Sequence, residues 1–201
     1  MRPEVIFFDL GDVVCRFHPE RRLAALGEAC GLGADEVRHA LYESGLVDRW
    51  DRGLASATEI HATLERELGY AGGPAALHEL WCSAFEPDDR VLGLVDRLHP
   101  LRTALLTNND ALLLEALPDV LPQIAARFEP LLFSCMLGTT KPAPAAFTRA
   151  LELVGCSPAA AVFVDDKPAN VAGAEAVGIT GLHFTGADGL RTALDALLGS
   201  S

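Results

Sequence analysis

Basic residues are scarce in this sequence, and the scarcity limits the partners that the protein can bind. Of 201 residues, 16 are Lys or Arg and 28 are Asp or Glu, so the formal net charge at pH 7 is -12. A chain with this charge repels polyanions, because neither a basic stripe nor a basic helix offsets it. We therefore expect neither nucleic acid nor an anionic membrane surface as a partner.

Long apolar runs and paired cysteines are also missing. The apolar stretch at residues 5–8 is interrupted by Asp9, so it is too short for a signal peptide, and no later run is long enough to span a bilayer. The five cysteines are scattered, and none forms a Cys-x-x-Cys pair typical of a zinc or redox site. This usage favours free thiols in a reducing compartment. Together these absences predict a soluble, cytoplasmic protein.

Short apolar runs in the sequence alternate with segments of helical periodicity. Five runs have the character of buried parallel strands: 5–8, 103–106, 131–133, 161–164 and 181–184. Helical patterns lie between the later runs, and the pattern at 144–154 begins with proline and ends before glycine, as helices do. The alternation predicts an α/β fold, in which a Rossmann-like parallel sheet carries helices on both faces.

The segment between the first strand and the others has a different character. It contains no convincing strand, and it has four helical patterns: 20–30, 35–43, 58–68 and 75–85. Ser56, followed three residues later by Glu59, is a capping-box signature for the third pattern. A simple crossover needs only about a dozen residues, far fewer than this segment has. We therefore predict an all-helical cap, residues 16–88, inserted into a catalytic core of residues 1–15 and 89–201.

Polar residues follow four of the predicted strands, at the edge where open α/β sheets bind their ligands. In chain order they are Asp9, Gly11 and Asp12, then Thr107 and Asn108, then Lys141, and finally Asp165, Asp166 and Asn170. A hydrophobic core does not require carboxylates, a hydroxyl, an amide and a lysine at one sheet edge. The pattern therefore predicts a binding or catalytic site there.

In order and spacing, these residues resemble the four motifs of the haloacid dehalogenase-like hydrolase superfamily. The resemblance covers the whole chain, including a helical cap after the first motif, and residues 162–170 are especially similar to that family. The first motif, Asp-Leu-Gly-x-Val from Asp9, resembles a group that includes sugar-phosphate phosphatases such as a glucose-1-phosphate phosphatase. The resemblance implies a Mg²⁺-dependent phosphatase that hydrolyses a small phosphorylated metabolite through an aspartyl-phosphate on Asp9. Sugar phosphates are among the substrates that the resemblance suggests.

The resemblance also implies which residues hold the metal. A carboxylate nucleophile repels a phosphoryl group, so a cation must lie between them, and Mg²⁺ takes few carboxylates together with substrate oxygen and water. The implied ligands are the side chains of Asp9 and Asp166 and the backbone carbonyl of Gly11, with Asp165 close by.

Four further residues have roles that the resemblance implies. Lys141 neutralises charge on the transferring phosphoryl group, while Thr107 and Asn108 donate hydrogen bonds to its oxygens. Asn170 orients either Asp166 or Lys141.

One position departs from the family pattern and leaves alternatives open. Phosphatases of the family usually carry a general-acid aspartate two positions after the nucleophile, where this chain has Gly11, and Asp12 one residue later is an uncertain substitute. Haloacid dehalogenases also lack that acid, so a metal-independent 2-haloacid dehalogenase is one alternative. Adjacent Asp165 and Asp166 disfavour it, because both carboxylates near Asp9 are costly without a cation. A catalytically impaired binder of a phosphorylated ligand is the other alternative, and the sequence predicts no oligomeric state.

Overall fold

The computed structural model describes residues 3–199, so residues 1–2 and 200–201 of the predicted core segments lie outside the described residues. In chain order its elements are β1 (Val5–Phe8), β2 (Cys15–Phe17), α1 (Pro19–Cys30), α2 (Ala34–Arg38), a π-helix (His39–Glu43), α3 (Leu46–Asp51), α4 (Ala57–Leu68), α5 (Pro74–Cys82), β3 (Phe85–Pro87), α6 (Asp89–Asp96), β4 (Arg102–Thr107), α7 (Ala111–Val120), α8 (Pro122–Ala125), β5 (Leu131–Phe133), α9 (Ser134–Leu137), α10 (Pro144–Val154), a 3₁₀-helix (Pro158–Ala160), β6 (Ala161–Asp165), α11 (Pro168–Ala176), β7 (Thr180–His183) and α12 (Ala187–Gly199). Within the described range, no helix combines the length and apolar character needed to cross a membrane.

A five-stranded parallel sheet in the order β5-β4-β1-β6-β7 forms the centre of the fold. All four residues of β1 are buried, because the strand has a neighbour on each side and helices over each face. Its side chains alternate: Ile6 and Phe8 belong to one hydrophobic cluster, and Val5 and Phe7 belong to another. This confirms the predicted α/β fold, and each predicted strand lies within one residue of its observed bounds.

The helices divide between the two faces of the sheet. Phe147 of α10 packs edge-on against Phe163 of β6, with ring centroids 5.3 Å apart, in the Val5 and Phe7 cluster. The opposite cluster contains Phe8 of the sheet together with Trp81 of α5, which comes from the inserted segment. The inserted helices therefore share a hydrophobic core with one face of the sheet, and this packing holds them over its edge.

Two predictions about the inserted segment are wrong in detail. Residues 16–88 were expected to be all-helical, but β2 and β3 pair as an antiparallel ribbon in which Phe17 lies opposite Phe85. The predicted helix 75–85 accordingly ends at Cys82, because the next residues lead into this ribbon. Strands of three residues are too short to show an alternating pattern, so the sequence could not indicate them. The predicted helix 35–43 also changes from α-helix to π-helix at His39. The boundaries of a separate cap domain stay a prediction.

The capping box at the start of α4 is confirmed, and it yields a stability prediction. Ser56 Oγ accepts a hydrogen bond from the Glu59 backbone N–H at 3.3 Å, and Glu59 Oε2 accepts one from the Ser56 N–H at 2.8 Å. Ser56→Ala leaves the Glu59 amide without this partner, so we expect the free energy of unfolding to fall by about 1 kcal/mol in urea denaturation. Ser157→Ala is the matched control, because Ser157 begins a 3₁₀-helix without a side-chain capping bond. Equal losses in the two variants would contradict the assignment.

Candidate active site

The Lys141 side chain lies in a buried ionic cluster at the carboxyl end of the sheet. It is 1% exposed, and its Nζ lies 2.8 Å from Asp9 Oδ1 and 2.7 Å from Asp165 Oδ2. Nζ also donates a hydrogen bond to the Leu106 carbonyl at 2.8 Å, so three acceptors match the three N–H donors of the ammonium. If Asp9 moved away from Lys141, a buried charge would lose its partner, which is strongly unfavourable. The cluster therefore holds Asp9 firmly where β1 ends.

The Asp165 carboxylate is fully buried and supports Lys141. Its Oδ1 accepts a hydrogen bond from the Lys167 backbone N–H at 2.8 Å, and both of its oxygens lie 3.0 Å from Asn170 Nδ2. The predicted role of Asn170 is therefore corrected: its amide contacts Asp165 rather than Asp166 or Lys141. The first turn of α11 places Asn170 back over the end of β6, where Asp165 is the nearest carboxylate.

The neighbouring Asp166 carboxylate has a very different environment. Its Oδ1 is buried and has no hydrogen-bond partner within residues 3–199. Burial raises the pKa of Asp166, and the Asp9, Asp165 and Asp12 carboxylates raise it further, against an opposing effect of Lys167. One carboxylate oxygen from each of Asp9, Asp165 and Asp166 lies within 4.8 Å of the other two. An all-oxygen set with one unpaired buried oxygen fits a hard divalent cation such as Mg²⁺.

Thr107 and Asn108 lie where β4 ends, as predicted, but the two side chains contact different partners. Asn108 Nδ2 donates to the Lys141 carbonyl and its Oδ1 accepts from the Lys141 N–H, both at 2.9 Å. The Asn108 side chain thus positions Lys141 and retains one further N–H. Thr107 Oγ1 accepts a hydrogen bond from Asn109 Nδ2 at 2.8 Å, which leaves the threonine hydroxyl hydrogen available for a ligand.

The loop after β1 contains Gly11 and Asp12, and the sequence left open which group there supplies a general acid. Asp12 adopts a left-handed backbone conformation with a φ of 59°, and its Oδ1 accepts the Phe17 N–H at 3.0 Å, so the side chain shapes the loop. A Cβ added to Gly11 would lie 3.5 Å from Phe17 Cβ, an ordinary contact distance. Steric contacts around position 11 therefore do not require glycine there. The metal-binding role of the Gly11 carbonyl and the catalytic role of Asp12 stay predictions.

A cavity of about 180 Å³ lies above this edge of the sheet, between the core and the inserted helices. Most of the predicted site residues contribute to its wall: Asp9, Gly11, Asp12, Thr107, Asn108, Lys141 and Asn170. The volume is below the roughly 300–1,000 Å³ of pockets that hold drug-sized ligands, so it suits a small molecule.

The cavity wall also contains residues that the sequence analysis missed: Phe17, Arg22, Tyr42, Asp51, Phe85 and Asp110. Burial raises the pKa of Asp51 to about 7, with Asp110 adding to the effect and Arg22 opposing it. Asp110 begins α7 by accepting the Leu113 N–H at 2.9 Å, and it accepts the Trp81 indole N–H at 3.0 Å. Only Asp110 had a readable signal, a polar residue directly before an apolar helical run. The others reach the cavity through tertiary packing.

Comparisons with known proteins show relatives in sequence and in fold. A curated relative, the sesquiterpene phosphatase astK of Aspergillus oryzae, is 28% identical over 200 residues, which cover 94% of this chain and 92% of that protein. A HAD-like family hydrolase from Porphyromonas gingivalis matches over 100% of both chains with a TM-score of 0.81 and 25% identity. The HAD family enzyme bt-2542 of Bacteroides thetaiotaomicron, solved with magnesium and inorganic phosphate, matches 90% of this chain and 93% of its own with a TM-score of 0.74 and 21% identity.

The same fold also occurs in an enzyme with different chemistry. The L-2-haloacid dehalogenase of Xanthobacter autotrophicus matches 99% of this chain and 83% of its own, with a TM-score of 0.62 and 20% identity. Structural similarity at this level shows the fold and leaves the reaction to the residues of the site. The sequence profile of the haloacid dehalogenase-like hydrolases matches residues 3–178. The chain belongs to the haloacid dehalogenase-like hydrolase family.

Proposed function

We propose that the protein is a Mg²⁺-dependent phosphatase of a small phosphorylated metabolite, with Asp9 as the nucleophile. The observation that carries the proposal is the buried, unpaired Oδ1 of Asp166 beside the Asp9 carboxylate. A cation at this position would satisfy that oxygen and would allow an anionic substrate to approach. A curated relative named as a phosphatase, and a similar enzyme solved with magnesium and phosphate, support the same reaction class.

The residues of the site would supply every group for phosphoryl transfer to the protein except a positioned general acid. Asp9 and Asp166, with the Gly11 carbonyl, would hold Mg²⁺, which when bound offsets the negative charge between nucleophile and phosphate. An Asp9 oxygen attacks phosphorus, the bond to the leaving oxygen breaks, and water later hydrolyses the aspartyl-phosphate to phosphate and free Asp9. The Lys141 ammonium fixes Asp9 and offsets charge on the transferring group, while the Thr107 hydroxyl donates to one of its oxygens.

The leaving oxygen needs a proton, and here the chain departs from related phosphatases. Gly11 replaces the usual aspartate, and a positioned general acid typically contributes about 10²–10⁴ in rate. We infer that the protein favours substrates whose leaving groups depart easily, such as a sugar 1-phosphate. Asp12 lies in the cavity wall and is the nearest candidate in sequence to supply the proton.

The alternative functions make different demands on the site. A 2-haloacid dehalogenase attacks carbon and needs no metal, which leaves the unpaired Asp166 oxygen beside Asp9 and Asp165 without a purpose. A binder that has lost catalysis would not need the nucleophile held rigidly by Lys141 at 2.8 Å. The contacts therefore favour the phosphatase over both alternatives.

The first prediction concerns the nucleophile and the metal. Against a panel of phosphorylated metabolites, we expect phosphate release with Mg²⁺, none with EDTA, and a loss of at least about 10³-fold in kcat/KM for Asp9→Asn, because the amide cannot attack phosphorus. Asp119→Asn, at an exposed position outside the cavity, is the matched control and should keep full activity. The same assays include 2-chloropropionate. Chloride release that survives EDTA would establish the dehalogenase instead, whereas tight binding of a phosphorylated ligand without turnover would establish the binder.

The second prediction restores the missing acid. Because a Cβ at position 11 meets only ordinary contacts, we expect Gly11→Asp to fold and to place a carboxyl group in the cavity wall. We expect its kcat/KM to rise by roughly 10²-fold for n-propyl phosphate, whose alkoxide is a poor leaving group, and to change little for p-nitrophenyl phosphate. Gly11→Asn is the control of equal size without an acid. If both variants behave alike on n-propyl phosphate, another group already supplies the proton.

A further inference from the structure

Two polar atoms in the part of the cavity wall formed by the inserted helices lack hydrogen-bond partners. They are Arg22 Nη2 and Tyr42 Oη, and both are buried without a partner among residues 3–199. Arg22 as a whole is 3% exposed, and both residues contribute to the wall of the same cavity as Asp9. Buried polar groups in native proteins are nearly always hydrogen-bonded, so each exception requires an explanation. A ligand in the cavity would provide the missing partner.

The guanidinium of Arg22 is held rigidly. Its Nε donates a hydrogen bond to the Trp81 carbonyl at 3.0 Å, and its central carbon lies 4.2 Å from the centroid of the Trp81 ring. The rings of Phe85 and Phe17 lie 5.4 Å and 5.8 Å from the same carbon. These contacts fix the orientation of the group, so it loses little freedom when a ligand accepts a hydrogen bond from it. Such preorganisation is typical of a residue that selects a ligand.

The charges around Arg22 indicate what kind of group it binds. Asp51 and Asp110 share the cavity wall with Arg22, whose positive charge opposes the larger effect of burial that raises the pKa of both carboxyl groups. A bound anion in this part of the cavity would lie beside these two acidic side chains and would make their charged forms still less favourable. A neutral oxygen fits better, because it accepts from Arg22 and can exchange a hydrogen bond with Tyr42. A hydroxyl group has this chemistry.

We propose that Arg22 and Tyr42 form a subsite that binds a hydroxyl oxygen of the leaving group, so that the enzyme selects phosphates of small polyols over alkyl phosphates of equal carbon count. The subsite rests on the proposed phosphatase function, since it places the hydroxyl in the cavity that Asp9 lines. Phe17 and Phe85, with ring centroids 5.1 Å apart, supply apolar surface for the carbon skeleton between the two polar ends. A site built to hydrogen-bond a substrate hydroxyl rejects the analogue that lacks it, because its own buried polar groups then stay unpaired.

The test compares glycerol 3-phosphate with n-propyl phosphate, which has the same number of carbons and lacks the two hydroxyls. The quantity measured is the ratio of kcat/KM for the two substrates with Mg²⁺, in the wild-type protein and in Tyr42→Phe and Arg22→Lys. The chain offers a matched control for each variant. Tyr70→Phe removes a hydroxyl from a tyrosine outside the cavity, and Arg21→Lys changes the adjacent arginine, which instead pairs with Glu86 at 2.7 Å.

We expect the wild-type protein to prefer glycerol 3-phosphate, and Tyr42→Phe and Arg22→Lys each to lower the ratio by roughly 10- to 100-fold, the range for a hydrogen bond to a charged or buried group. Both controls should keep the wild-type ratio. Thermal melts verify that each variant is folded, and Tyr42→Phe, which removes a single oxygen, serves as the test if Arg22→Lys fails to fold.

Four outcomes would overturn the subsite. A wild-type ratio near one, or folded variants with unchanged kcat/KM on both substrates, would show that the two residues recognise no hydroxyl, while phosphate release would still support the phosphatase. An equal loss on both substrates would show that the two residues have only a structural role. Absence of phosphate release from both substrates, while the metabolite panel or p-nitrophenyl phosphate is hydrolysed, would overturn the subsite alone, whereas absence of release from every substrate would overturn the phosphatase proposal as well.

Discussion

The site depends on one buried cation, the ammonium of Lys141, which lies between two carboxylates. Asp9 and Asp165 come from the ends of neighbouring parallel strands, and without a shared positive charge their proximity would be strongly unfavourable. The rest of the site serves this arrangement. Asn108 accepts a hydrogen bond from the Lys141 N–H and donates one to the Lys141 carbonyl, and Asn170 donates to the Asp165 carboxylate. The result is an Asp9 carboxylate with little freedom to move.

Lys141 does not offset all of the negative charge. Asp9, Asp165 and Asp166 contribute three negative charges to the cluster, and Lys141 contributes one positive charge, while the chain as a whole carries -12. A divalent ion would bring the cluster to neutrality before an anionic substrate arrives. The acidity of the chain, from which we predict that nucleic acid is not a partner, would under the proposed function make the cation a condition for binding a small anion.

Much of the fold and part of the site could be predicted from the sequence, and physical reasons explain why the rest could not. The strands were readable because β1 and β6 are buried on both faces and are therefore continuously apolar. Parallel strands bring their carboxyl ends to one edge, which was enough to group Asp9 with Lys141. The contacts of Asn108 and Asn170 were not readable, because a side-chain amide can serve several neighbours within reach. Arg22 and Tyr42 gave no signal at all, since only the packing of the inserted helices brings them to the cavity.

The central claim is that this acidic site holds phosphate only when a divalent cation offsets its carboxylates. Isothermal titration of the protein with inorganic phosphate tests it directly, once with saturating Mg²⁺ and once with EDTA. The account predicts phosphate binding with Mg²⁺ and none detectable with EDTA. Phosphate binding of equal affinity in EDTA would contradict it.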